Sequence, residues 1–132
     1  MKYKHIIWDW NGTLLNDTAD CTAVVDKLMQ KHNLGRLSIE RYRQETCFPV
    51  INFYKKLGFD FDKISFTEIA NDYMQDYQQR VMASKLHPES LECLNKLTNL
   101  GYTHSVLSAY EQSRLEFALA HFGLTSFFLH II

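Results

Sequence analysis

The chain has 132 residues, 46% hydrophobic and 14% aromatic, enough to bury one core or a core with a small insertion but too few for two full domains. Fourteen basic residues stand against fifteen acidic ones, a net charge of −1 with no Lys/Arg block, which argues against a nucleic-acid phosphate tract and against a polybasic membrane surface. Cys21, Cys47 and Cys93 are odd in number and lack a C-x-x-C pair, so reduced thiols in a cytoplasm are expected rather than zinc or a dithiol redox site.

His5 to Trp8 is a short apolar run that ends in Asp9 and then Asn11-Gly12, the pattern of a buried strand breaking into a turn. That interruption comes too early for a signal peptide, and no stretch approaches the length of a membrane span. Cys21, Val24, Val25, Leu28 and Met29 predict one face of a helix, with Asp17 or Thr18 as its cap and an end near Asn33 to Gly35. Val50, Phe53, Tyr54 and Leu57 predict a second helix that stops at Gly58. Ser65 with Glu68 forms a capping-box pattern ahead of a third, whose stripe is Phe66, Ile69, Ala70, Tyr73, Tyr77 and Val81.

After the Ala83-Ser84 joint, Pro88 opens another helix with Leu91, Leu94 and Leu97 expected inward and Gly101 at its end. Thr103 to Leu107 reads as a strand running into Ser108. Leu115, Ala118, Leu119 and Phe122 mark one more helix, and the apolar tail Phe127 to Ile132 a third strand. The order predicts an α/β fold, a Rossmann-like parallel sheet built from residues 1–16 and 84–132, with a helical insertion over 17–83 after the first strand. Ligands bind beyond the carboxyl ends of strands in such sheets, where Asp9 and Ser108 are both placed. The six histidines stand singly and are not assigned as metal ligands.

The run Ile6-Ile7-Trp8-Asp9-Trp10-Asn11-Gly12-Thr13-Leu14 resembles the first motif of the haloacid dehalogenase-like superfamily, an apolar strand followed by D-x-D-G-T-L. Gly101 to Ala109 looks like its second motif, a strand ending in Ser or Thr. Leu86-His87-Pro88-Glu89 is similar to the stretch that re-enters the core. Phe48-Pro49-Val50 through Leu57-Gly58-Phe59-Asp60 resembles the helical cap of the phosphoglycolate-phosphatase-like branch.

The resemblance implies a phosphohydrolase acting on a small phosphorylated metabolite. Asp9 would attack phosphorus to give an aspartyl-phosphate, with Mg²⁺ held by Asp9 and the backbone carbonyl of Asn11. Gly12, Thr13, Ser108 and Ala109 would surround the phosphate, Ser108 through its hydroxyl and the amides beside it. Taken without the motifs, Asp9 is an ordinary turn or cap aspartate and Ser108 an ordinary helix cap.

One position departs from the pattern. The family's second aspartate works as acid and base, worth about 10²–10⁴-fold, and here it is Asn11, an amide that orients but does not titrate. A slow phosphatase, a phosphatase for substrates with good leaving groups, and different chemistry all remain open. The last has a relative in phosphonoacetaldehyde hydrolases, which form a Schiff base on a cap lysine; Lys55 and Lys56 are the residues here, although solvated lysines are the simpler reading. The third and fourth motifs, a lysine and an acidic pair, have no counterpart: no lysine follows Lys96 and no acidic residue follows Glu116. A truncated chain, weak turnover, and a homodimer through an uncovered sheet edge are therefore expected. A competing expectation is a non-catalytic module that keeps the fold and binds a phosphate or a partner.

Overall fold

Ile6, Ile7 and Trp8 carry the extended run into strand β1 (His5–Trp8), and the chain breaks at Asp9 as the turn residues dictate. The computed structural model describes residues 2–132. Elements follow in the order β2 (Leu15–Asn16), α1 (Thr18–Lys31), α2 (Ile39–Glu45), α3 (Val50–Lys56), α4 (Phe66–Val81), β3 (Lys85–Leu86), α5 (Ser90–Asn99), β4 (Thr103–Val106), α6 (Gln112–His121) and β5 (Phe128–Ile131). They fall into two compact units: the described residues up to Asn16 with Lys85–Ile132, and Asp17–Ser84.

The first unit is the α/β one. Its sheet has the order β1-β4-β5, all parallel, with His5 opposite Thr103 and Trp8 opposite Val106. The ladder runs past the strand ends, Leu107 N donating to Trp8 O and Ser108 N to Ile132 O, both at 2.8 Å. Asp9 and Ser108 thus leave the carboxyl ends of adjacent strands. Helices α5 and α6 are the crossovers between neighbouring parallel strands, so the handedness rule puts both on one face. His104, 1% exposed, lies on that face and ties it to α5. Trp8 Nε1 donates to His104 Nδ1 at 3.0 Å, and His104 Nε2 lies 3.0 Å from Thr98 Oγ1, which donates to Leu94 O. On the opposite face the His5 ring bridges the Thr103 and Ser105 hydroxyls at 2.7 and 2.9 Å, and Ile7 stands 64% exposed.

The inward face of α5 is set by the buried Ser90 and Leu94, and Leu91 stands 46% exposed instead of in the interior place expected for it. Periodicity alone did not reveal the two-residue antiparallel pair β2–β3, Leu15 opposite Leu86 and Asn16 opposite Lys85. It brings together the two points where the chain leaves and re-enters this unit, and Ser90 Oγ and His87 N both reinforce it through Leu14 O.

The second unit is helical. α1 packs on α4 with the ion pairs Lys31–Asp72 (2.8 Å) and Lys27–Asp76 (3.9 Å) across them, around a core of Val25, Leu28, Met29, Phe53, Tyr54 and Ile69. Asp26 holds the chain after α1 by accepting from Leu37 N at 2.7 Å and from Arg36. Gly58 takes φ 103°, where a side chain is disfavoured, and a Cβ there would also meet Leu34 Cδ2 at 3.3 Å. α2 was not separately legible, because it buries no residue completely and so carries no apolar stripe.

Two expected caps are different. Ser65 is the N-cap of α4, but its side chain makes no bond to the helix amides, so the capping box with Glu68 does not form. Asp17 is the N-cap of α1, yet its buried carboxyl group turns inward, accepting from Tyr77 Oη at 2.7 Å and from Cys21 Sγ at 3.6 Å; interior donors win over the helix amides.

Candidate active site

The loop after β1 is shaped by one carbonyl. Trp10 O accepts from the amides of Thr13, Leu14 and Leu15, each at 3.1 Å, and Gly12 takes φ 73°, which lets the chain curl tightly behind Asp9. Trp10 itself is fully buried against Phe122, ring centroids 5.9 Å apart, so the loop is anchored by packing as well as by hydrogen bonds. The result presents Asp9 at the surface, with Thr13 Oγ1 donating to Asp9 Oδ2 at 2.9 Å. That bond orients the carboxylate through one of its oxygens.

Ser108, a half-buried residue at the end of β4, meets the same loop. Its Oγ lies 3.5 Å from Asn11 Oδ1, the long limit of a hydrogen bond. The two motifs read separately in the sequence therefore touch at Asn11 and Ser108. Asp9, Asn11, Gly12, Thr13, Ser108 and Ala109 all stand at the carboxyl edge of the sheet, on the β1 and β4 loops, with Asp9, Gly12, Thr13 and Ala109 exposed.

The amides beside Ser108 are partly engaged. Ser108 N donates to Ile132 O, and Tyr110 N donates to Ser108 Oγ at 3.1 Å, so the hydroxyl of Ser108 rather than its amide faces the Asn11 side. The amino end of α6 is also occupied: Glu111 accepts from Ser113 N and Ser113 Oγ, which holds its carboxyl group below the usual carboxylate range. A helix amino terminus attracts anions, and here a side-chain carboxylate already fills that role. Sequence reasoning missed Glu111 because Glu is not among the favoured N-caps. It also missed Gln112, whose Nε2 donates to Ile131 O at 2.7 Å and ties α6 to the strand end.

Oxygen donors suitable for Mg²⁺ are present in kind, the exposed Asp9 carboxylate and the Asn11 carbonyl, and this ion usually keeps several waters. Among the described residues no group of three His, Cys, Asp or Glu side chains gathers to hold an ion. Lys55 and Lys56 are exposed on α3, on the side away from the buried Phe53 and Tyr54. All three cysteines are free thiols, and no helix among the described residues is long and apolar enough to cross a membrane.

Comparison with known proteins adds the following. A family model described as haloacid dehalogenase-like hydrolase matches residues 6–132. No curated protein matches. Among solved structures, a Bacteroides fragilis protein described as a haloacid dehalogenase-like hydrolase is similar with TM-score 0.83 and 17% identity, covering 99% of this chain and 63% of its own. A predicted phosphoglycolate phosphatase from Haemophilus somnus gives TM-score 0.75 and 19% identity, with 100% and 63% covered. Protein Tyrosine Kinase A of Mycobacterium tuberculosis gives TM-score 0.81 and 19% identity, with 97% and 58% covered. The chain thus spans about three fifths of the length of these structures. At such identities the likeness speaks for the fold, and the third name shows how differently proteins of one fold are described.

Proposed function

Because this chain belongs to the haloacid dehalogenase-like hydrolase family, we propose that it is a phosphohydrolase for a small phosphorylated metabolite, with Asp9 as nucleophile. An Asp9 carboxylate oxygen attacks phosphorus, the bond to the leaving oxygen breaks, and an aspartyl-phosphate forms; water then attacks that phosphorus, releasing phosphate and restoring the carboxylate. Thr13 orients the nucleophile through Oδ2, and the Ser108 hydroxyl binds a phosphoryl oxygen. Asn11 cannot supply a proton, so the leaving oxygen takes one from water, which favours substrates with good leaving groups. Mg²⁺ at Asp9 and the Asn11 carbonyl would offset the repulsion between carboxylate and phosphate. The helical unit acts as a cap that excludes water and selects the substrate.

The observation that carries this reading is the approach of Ser108 Oγ to Asn11 Oδ1 beside the exposed Asp9. Hydrolysis of p-nitrophenyl phosphate with Mg²⁺ tests it, comparing the chain with its Asp9→Asn variant. Slow release of p-nitrophenol that disappears in the variant is expected. Equal rates in both proteins, or a folded chain with no turnover, would overturn it.

Asn11 also favours a second reading, a module that retains the fold and binds phosphate without turnover. Inorganic phosphate that perturbs the amide signals of Thr13 and Ala109, in a protein without activity, would select it. A lysine-based C–P hydrolase is a minor variant, for which borohydride trapping with an aldehyde substrate should label Lys55 or Lys56. For partners we infer a homodimer through β1, an edge of the sheet with Ile7 exposed, and for location a reducing compartment such as the cytoplasm, in keeping with three free thiols.

A further inference from the structure

The helical unit contains a cavity of about 250 Å³ between α2, α3 and α4, walled by Tyr42, Phe53, Tyr54, Phe66, Tyr73 and Met74. None of the residues lining it is charged. Of its polar groups, the Thr46 hydroxyl is engaged within the chain, donating to Tyr42 O. What the walls offer an occupant is mostly ring carbon, thioether and aliphatic surface. An anion moved there would lose its water without gaining a cation, so charge complementarity selects a neutral molecule.

Ring geometry narrows the choice. Tyr42 and Phe53 stand edge to face, 88° with centroids 5.5 Å apart, and Tyr54 and Phe66 do so at 67° and 6.1 Å. Perpendicular walls offer an inserted ring both a face and an edge, the arrangements aromatic pairs prefer. Size agrees, since an apolar cavity of about 150 Å³ holds benzene and this one is larger. At the mouth, Phe48 is 78% exposed and Val50 41%, apolar side chains set where an occupant would cover them.

We propose that this cavity binds a small neutral aromatic molecule, one ring with a short substituent. The residues lining it all belong to the helical unit, and its occupant needs no phosphate, so the proposal does not rest on the hydrolase reading.

The test uses the full chain labelled with ¹³C-methyl methionine and titrated with p-cresol. Met74 lines the cavity, whereas Met29 is in the core and Met82 is exposed, so the methyl groups report separately. A saturable shift of the Met74 methyl is expected, with Met82 unmoved and with benzoate at least about tenfold weaker. Ala70→Phe, which fills the cavity, should abolish the response while the other methyl signals keep their positions. An unmoved Met74, a Met82 shift in parallel with it, or equal binding of benzoate would overturn the proposal; the benzoate comparison stands even if Ala70→Phe does not fold.

Discussion

Tyr77 Oη donates to Asp17 Oδ2 at 2.7 Å, a buried bond that joins the last turns of α4 to the first residue of the helical unit. A second bond, Ser84 Oγ to Asp20 Oδ2, fastens the other end of the same unit to α1. Tyr77→Phe keeps the ring and removes the donor from a buried carboxyl group, so it should cost about 2 kcal/mol. Urea unfolding followed by circular dichroism measures this, and a change in midpoint at constant slope is the expected form.

His104 should make the α/β unit sensitive to acid. Trp8 Nε1 can only donate, so His104 Nδ1 must be an acceptor and the ring neutral with its proton on Nε2. Burial, and secondarily the charge of His5, hold the His104 pKa below its ordinary value. The folded state therefore binds this proton less readily than the unfolded chain. Its contribution to stability is complete above the unfolded value near pH 6.5 and is lost as pH falls through the window beneath it. Unfolding free energies at pH 7.5 and 5.0 should differ more for the native chain than for His104→Asn, which keeps an acceptor for Trp8 without titrating.

Thiol reactivity should divide the three cysteines. Burial first, and then the negative charge of Asp17, push the Cys21 thiol up to about 12, so thiolate is scarce there near pH 8. Cys47 and Cys93 are only half-buried. Titration with an aromatic disulfide reagent should count two thiols in the native protein and the third after denaturation.

Asn11→Asp should restore an acid and base beside Asp9. On the proposed mechanism, turnover of a phosphate ester with a poor leaving group rises by about 10²-fold or more, and that of p-nitrophenyl phosphate rises less. Rates for the two substrates in both proteins give the comparison. An unchanged ratio would remove Asn11 from the chemistry.

Ile7→Lys should weaken self-association through the β1 edge, because a charge there interrupts the apolar template for strand pairing. Light scattering after size exclusion should show a dimer for the native chain at tens of micromolar, on the order of ordinary laboratory concentrations, and a monomer for the variant.

The three strands of the parallel sheet, five of the six helices and the convergence of Asp9 with Ser108 were legible in the sequence, because each depends on local rules. An apolar run breaking at Asp9 ends a strand whatever it packs against, and parallel strands joined by helices bring their carboxyl ends to one edge. The direction in which side chains turn was not legible in the same way. Asp17 faces Tyr77 and Cys21 instead of capping α1, Leu91 is exposed on α5, and Glu111 occupies the amino end of α6. The first is a competition between near neighbours in sequence, the helix amides, and a partner distant in sequence, 60 residues away for Asp17 and Tyr77. The sequence by itself determined the sheet strands, five of the six helices and where the candidate nucleophile stands; only tertiary structure decided the β2–β3 pair and which polar groups turn inward, because burial makes a distant hydrogen bond worth more than a solvated local one.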